Sequence, residues 1–140
     1  MGVFVDELNG TMFFEEQFKL KWLATKLKQY SYVSFSDTID LETVSAFSER
    51  CLKYTLKNYK GLPRGIQSGI VSFSILVGNK IEMDAIDFVL SRPKKHFAAF
   101  EMPIIVDLER QIIYHYTDTP IWGGMYYPYF RDYIQTHFGF

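Results

Sequence analysis

The reading of one stretch decides the fold: His96–Gly124, HFAAFEMPIIVDLERQIIYHYTDTPIWGG. Its even positions carry Phe100, Met102, Ile104 and Val106, then Ile112, Tyr114 and Tyr116. Its odd positions carry Glu101, Pro103, Ile105 and Asp107, then Ile113, His115 and Thr117. A period of two with one apolar side marks a half-buried strand, so the stretch reads as a β-hairpin. A single oily side also restricts the register, because a one-residue slip turns every side chain over. A two-residue turn would set Val106 against Gln111 and break that side. An odd-numbered loop, Leu108-Glu109-Arg110 or slightly longer, pairs Val106 with Ile112, Ile104 with Tyr114 and Met102 with Tyr116. Pro103 has no N–H for a ladder, which predicts a sheet edge or a bulge at that position.

Downstream, Asp118-Thr119-Pro120 reads as a turn and Gly123-Gly124 frees the backbone. Tyr126–Phe138 then has helical spacing, with Pro128 tolerated in the first turn. Upstream, Ile70–Val77 (IVSFSILV) is largely apolar at both parities, as a central strand requires. Glu82–Leu90 reads as a short helix, closed by Ser91-Arg92-Pro93. Asp40 is placed to cap a helix over Leu41–Lys60, with Val44, Phe47, Cys51 and Tyr54 on one face and Gly61 and Pro63 ending it.

Nearer the start, Ser31–Thr38 alternates weakly and reads as a short edge strand or a loop. Residues 11–30 read as a helix. Thr11 is its N-cap, Glu15 and Glu16 lie early, Lys19, Lys21, Lys26 and Lys28 lie late, and Phe13, Leu20, Leu23, Leu27 and Tyr30 share a face. Its wide apolar arc implies burial on more than one side, or a dimer seam. Residues 1–10 read as an extended lead-in. The expected architecture is one α+β domain over residues 1–140, a small antiparallel sheet of three to four strands with helices packed mainly on one face.

Net charge is −1 and the pI about 6.3, so no global field draws the chain to nucleic acid or an anionic membrane. No run of apolar residues is long enough to cross a bilayer. The first ten residues lack a basic signal-peptide region, and Asp6 stands where myristoylation wants Ser or Thr. One cysteine, Cys51, permits no internal disulfide. These features together suggest a cytoplasmic protein.

Chemistry is sparse in this sequence. The three histidines, His96, His115 and His137, show no paired metal-ligand spacing, so neither a metal nor a cofactor is expected. His115 shares the Glu101 side of the hairpin, the minimum for acid–base work and equally the look of a solvated sheet face. His96 reads as exposed, and His137 suits a helix C-terminus. Cys51, mid-helix on an apolar face, reads as an inert buried thiol. Gly61, Gly65 and Gly69 around Arg64 suggest an unusual strand entry before an anion nest, and their order matches no phosphate loop. Arg92, Lys94 and Lys95 beside Phe97 and Phe100 form a small basic loop.

Aromatics make up 18% of the chain. Tyr114, Tyr116, Trp122, Tyr126, Tyr127 and Tyr129, with Tyr133, are the best binding candidates, since each ring offers rigid area and most carry a polar tip. The same rings equally suit the seam between the last helix and the sheet. The expectation is a non-catalytic binding or accessory protein acting through this aromatic segment on a protein partner or a second copy. The alternatives are a small enzyme using His115 and Glu101, and an aromatic-lined small-molecule binder.

Overall fold

The computed structural model describes residues 2–18, 26–58, 68–96, 99–119 and 125–140. In chain order these form β1 (Val3–Val5), β2 (Gly10–Phe18), β3 (Lys26–Phe35), β4 (Thr38–Ile39), α1 (Leu41–Asn58), β5 (Ser68–Gly78), β6 (Lys80–Ile81), α2 (Met83–Leu90), β7 (Lys95–His96), β8 (Ala99–Asp107), β9 (Ile112–Tyr114) and α3 (Tyr127–Phe138). The main sheet is ordered β1-β2-β3-β5-β8-β7, with β9 also paired to β8, and β4 and β6 form a separate parallel pair. β1, β2 and β3 are antiparallel neighbours, whereas β3, β5 and β8 run parallel.

The expected small antiparallel sheet is therefore replaced by a larger mixed one in an α/β domain. The parallel half follows from its connections. The β3–α1–β5 and β5–α2–β8 crossovers advance in the same direction, and a common right hand puts both helices on one face. α1 and α2 do share a face, over Tyr30, Tyr32, Ile70, Leu76 and Ile105. α3 packs on the opposite face, against Val71, Phe73, Ile75, Phe100, Met102 and Ile104. The helices thus cover both faces rather than mainly one.

The helical reading of residues 11–30 also fails. Thr11–Phe18 belongs to β2 and Lys26–Tyr30 to β3, while Lys19–Thr25 lies outside the described residues. Phe13 and Phe14 point to opposite faces of β2, opposite Ser31 and Tyr30 of β3. Ser31–Phe35 is no edge: it runs within β3, between β2 and β5. Extended pairing suits the Phe, Tyr, Thr and Val that crowd both segments. The lead-in is itself a hairpin arm. A 3-10 turn over Asp6–Leu8 ends at Asn9, which is left-handed with φ 48°. Gly10 follows where a Cβ would sit 2.7 Å from the Val33 carbonyl oxygen.

The decisive hairpin exists, in a different register. β8 and β9 pair Ile105 with Tyr114, Val106 with Ile113 and Asp107 with Ile112. The loop is the four residues Leu108–Gln111. Gln111 takes the left-handed conformation at φ 57°, and Asp107 Oδ1 accepts from the Arg110 amide at 3.0 Å. Ile104 consequently faces α3, while Tyr114 packs on the α1–α2 side. Parity does not hold because β8 has no single oily side: all nine of its residues are buried. Pro103 lies on the stretch of β8 edge between the β7 and β9 ladders, as its missing donor requires.

Three further readings agree with the described residues, whereas Gly61 and Pro63 after α1, Pro120 of the expected turn and Gly123-Gly124 lie outside them. Asp40 caps α1, accepting from the Thr43 amide at 2.7 Å and its hydroxyl at 2.6 Å. β5 is a central strand, and α2 and α3 lie within a residue of their expected bounds. No helix among the described residues is long and apolar enough to cross a membrane.

Candidate binding groove

Most of the aromatic candidates are spent inside the molecule. Tyr116, Tyr126 and Tyr127 are buried together with Phe130, Tyr133 and Ile134 between α3 and the sheet. Tyr133 stacks on Phe73 with centroids 4.8 Å apart, Tyr126 tilts onto Phe100 at 5.0 Å, and Tyr116 meets Tyr127 edge-on at 5.9 Å. Burial pushes the Tyr127 hydroxyl up to about 12. Tyr129 is half-buried at the helix margin, and its hydroxyl donates to Gln29 Oε1 at 2.5 Å. Gln29 in turn donates to Glu15 Oε2 at 3.0 Å. Burial, with Glu15 nearby, raises Tyr129 to about 12. Tyr114 is half-buried on the other face, and Trp122 lies outside the described residues. Tyr116, Tyr126 and Tyr127 therefore fasten α3 to the sheet.

His115 and Glu101 are not brought together. His115 is buried; its Nδ1–H donates to the Tyr116 carbonyl at 3.0 Å, leaving Nε2 to accept from Gln135 of α3 at 3.1 Å. Desolvation lowers its pKa, and Arg131 pushes the same way. Glu101 faces α1, where Ser48 Oγ donates to Oε1 at 2.8 Å, and His96 Nε2 donates to Oε2 at 2.9 Å. Glu101 thus binds the histidine read as merely exposed. His137 Nδ1 donates to the Tyr133 carbonyl at 2.9 Å, inside its own helix.

The remaining candidates carry little chemistry. Cys51 is fully buried, and desolvation holds its thiol far above the ordinary value. No cluster of three or more metal-ligating side chains occurs among the described residues. Gly69 is a buried residue of β5, whereas Gly61, Pro63, Arg64, Gly65 and Phe97 lie outside the described residues.

The accessible aromatic surface is elsewhere, on the wing formed by β1, β2 and the end of β3. On the α3 side of the sheet this wing presents Phe4, Thr11, Phe13, Val33 and Phe35. α3 lies over β3, β5 and β8, and its last residue, Phe138, reaches the border of the wing. The result is an open-sided groove of about 490 Å³, lined by these residues with Asn9, Gly10 and Ser34 at its base. Ser34 Oγ donates to the Asn9 carbonyl at 2.6 Å and ties the β1–β2 turn to β3. Phe4, Phe13 and Phe35 are 58%, 40% and 72% exposed. An outward sheet face in water ordinarily carries polar residues at alternate positions. The sequence signal for this wing is Asn9-Gly10, where Asn tolerates the left-handed end of the turn and Gly opens the next strand.

Comparison with protein-family models, curated proteins and solved structures finds no significant match to this chain.

Proposed function

We propose that the chain is a non-catalytic binding or accessory protein that receives an apolar protein surface in the groove between the β1–β2–β3 wing and the end of α3. The observation that supports this is the exposure of three phenylalanines around one groove, on a wing that α3 leaves bare. Rings held out in water are an energetic liability that a docking partner relieves. The surface differs from the C-terminal aromatic segment singled out by the sequence, whose tyrosines are largely internal. The acid–base alternative drawn from His115 and Glu101 is not supported, since these two residues bond to α3 and α1 on opposite sides of the sheet. The groove volume falls within the roughly 300–1,000 Å³ of small-ligand sites, but such sites enclose their ligand and this one is open-sided.

The test uses anilinonaphthalene sulfonate as a probe of accessible apolar surface on the folded chain. The wild type is expected to enhance its fluorescence, and Phe13→Ser combined with Phe35→Ser to remove the enhancement while the circular dichroism spectrum is unchanged. Dye binding that survives both substitutions, or no binding by the wild type, contradicts the reading.

A further inference from the structure

On the α1–α2 face of the sheet, away from the groove, one imidazole is half out in water and half anchored. His96 Nε2–H donates to Glu101 Oε2 at 2.9 Å, and Ser48 Oγ donates to Oε1 at 2.8 Å. The carboxylate is buried, whereas the His96 side chain is 30% exposed. An ionised carboxylate only accepts, so the contact fixes the ring proton on Nε2 and leaves a lone pair on Nδ1. Nδ1 has no hydrogen-bond partner among the described residues. The other two histidines differ. His115 is buried and uses both ring nitrogens, and His137 is held by the neutral Tyr133 carbonyl.

A ring held this way is an oriented nucleophile. When Nδ1 forms a bond the ring gains positive charge, and a buried carboxylate on Nε2–H stabilises that charge. The neighbouring cations select the electrophile. Arg92 and Lys94 line the small cleft that opens onto Glu101. Lys94 also interacts with Glu49 of α1, whose carboxylate is itself bound to Lys53 at 2.8 Å. A guanidinium beside an ammonium suits the oxygens of a phosphoryl group. We infer that His96 is a phosphoryl-acceptor site, with Glu101 and Ser48 as positioning residues and Arg92 and Lys94 receiving the phosphoryl oxygens. The donor belongs to the phosphoramidate class. Nδ1 attacks phosphorus as the P–N bond of the donor breaks. The electron pair of that bond leaves with the amine, whose protons the zwitterionic donor already carries. Nε2 keeps its proton in the bond to Glu101, and no oxidation or reduction occurs. The site is independent of the apolar groove, which lies on the α3 face.

The experiment treats the full chain with potassium phosphoramidate in neutral buffer and follows the intact mass, with the modified residue located by fragmentation under non-acidic conditions. His96 is expected to react at least about tenfold faster than His137 in the same chain, the margin between a charged and a neutral hydrogen-bond acceptor. His96→Asn is expected to remove the fast phase. Glu101→Gln, with an unchanged circular dichroism spectrum, is expected to bring the His96 rate down to that of His137. If Glu101→Gln unfolds the chain, the exposed cations decide instead. Arg92→Gln combined with Lys94→Gln is expected to slow phosphorylation of His96 about threefold or more. The same pair should leave unchanged the reaction of His96 with diethyl pyrocarbonate, an uncharged electrophile. No preference for His96 over His137, or a fast phase that survives in folded Glu101→Gln, overturns the inference. So does a double substitution that changes neither rate, or that lowers both alike.

Discussion

Ser48 of α1 donates a 2.8 Å hydrogen bond to the Glu101 carboxylate of β8, 53 positions later, and His96 occupies the other carboxylate oxygen at 2.9 Å. Glu101 is buried at 7% exposure, so these donors replace the water that a carboxylate otherwise demands. Removing either bond leaves a buried polar group unsatisfied. Glu101→Ala is expected to destabilise the fold by about 1–3 kcal/mol, and Ser48→Ala by a comparable amount. In a double-mutant cycle the two losses should fall short of additivity, because each removes the same contact. Urea denaturation of the four proteins checks this; strict additivity contradicts a direct bond.

The aromatic layer under α3 should behave as core. Phe130 is fully buried and meets Phe73, Phe100 and Tyr127. Phe130→Ala is expected to cost about 3–5 kcal/mol by cavity formation. Tyr129→Phe, which deletes only the hydroxyl bonded to Gln29, should cost about 0.5–1.5 kcal/mol. Chemical denaturation measures both, and equal losses would contradict the burial pattern.

His115 ties stability to pH. Desolvation lowers its folded pKa, so the unfolded chain holds the extra proton more readily. The neutral ring's contribution is complete above the unfolded value of about 6.5. It falls as pH drops through that value toward the folded pKa, then levels off. Protonation also turns Nε2 into a donor facing the Gln135 amide nitrogen. His115→Gln is expected to flatten the dependence of stability on pH just below about 6.5. A wild-type slope of the opposite sign there, or one the substitution leaves unchanged, contradicts this account.

Much of the chain's local structure was legible where one signal acted alone. Asp40 caps α1, and IVSFSILV is largely apolar at both parities because it lies in the sheet interior. Two segments defeated the same reasoning. Phe13, Leu27 and Tyr30 fit a helical stripe, yet the stripe spans two strands, and the turn ending at Asn9 that betrays them lies ahead of it. In the hairpin, parity was imposed to protect one oily side. β8 is buried on both sides, so Ile105 against Tyr114 exposes nothing costly. The groove was illegible for a related reason. Phe13 and Phe35 look like core residues until the end of α3 shows which sheet rows stay uncovered.

The β1–β2 turn offers a separate check. Asn9 is left-handed, a conformation that β-branched residues strongly resist. Asn9→Val is expected to cost about 1–2 kcal/mol, whereas Asn9→Gly should be close to neutral. Thermal melts of the two variants decide it, and equal stability would remove the turn from its place beneath the groove.

The most direct measurement of the central claim, that the accessible aromatic surface lies on the wing and not on α3, is residue-resolved hydroxyl-radical footprinting of the dilute folded chain. The account predicts rapid oxidation of Phe4, Phe13 and Phe35 and strong protection of Tyr116, Tyr126, Tyr127 and Phe130. Protection of the three wing phenylalanines in a monomer, with rapid labelling of Tyr126 and Tyr127, would contradict it.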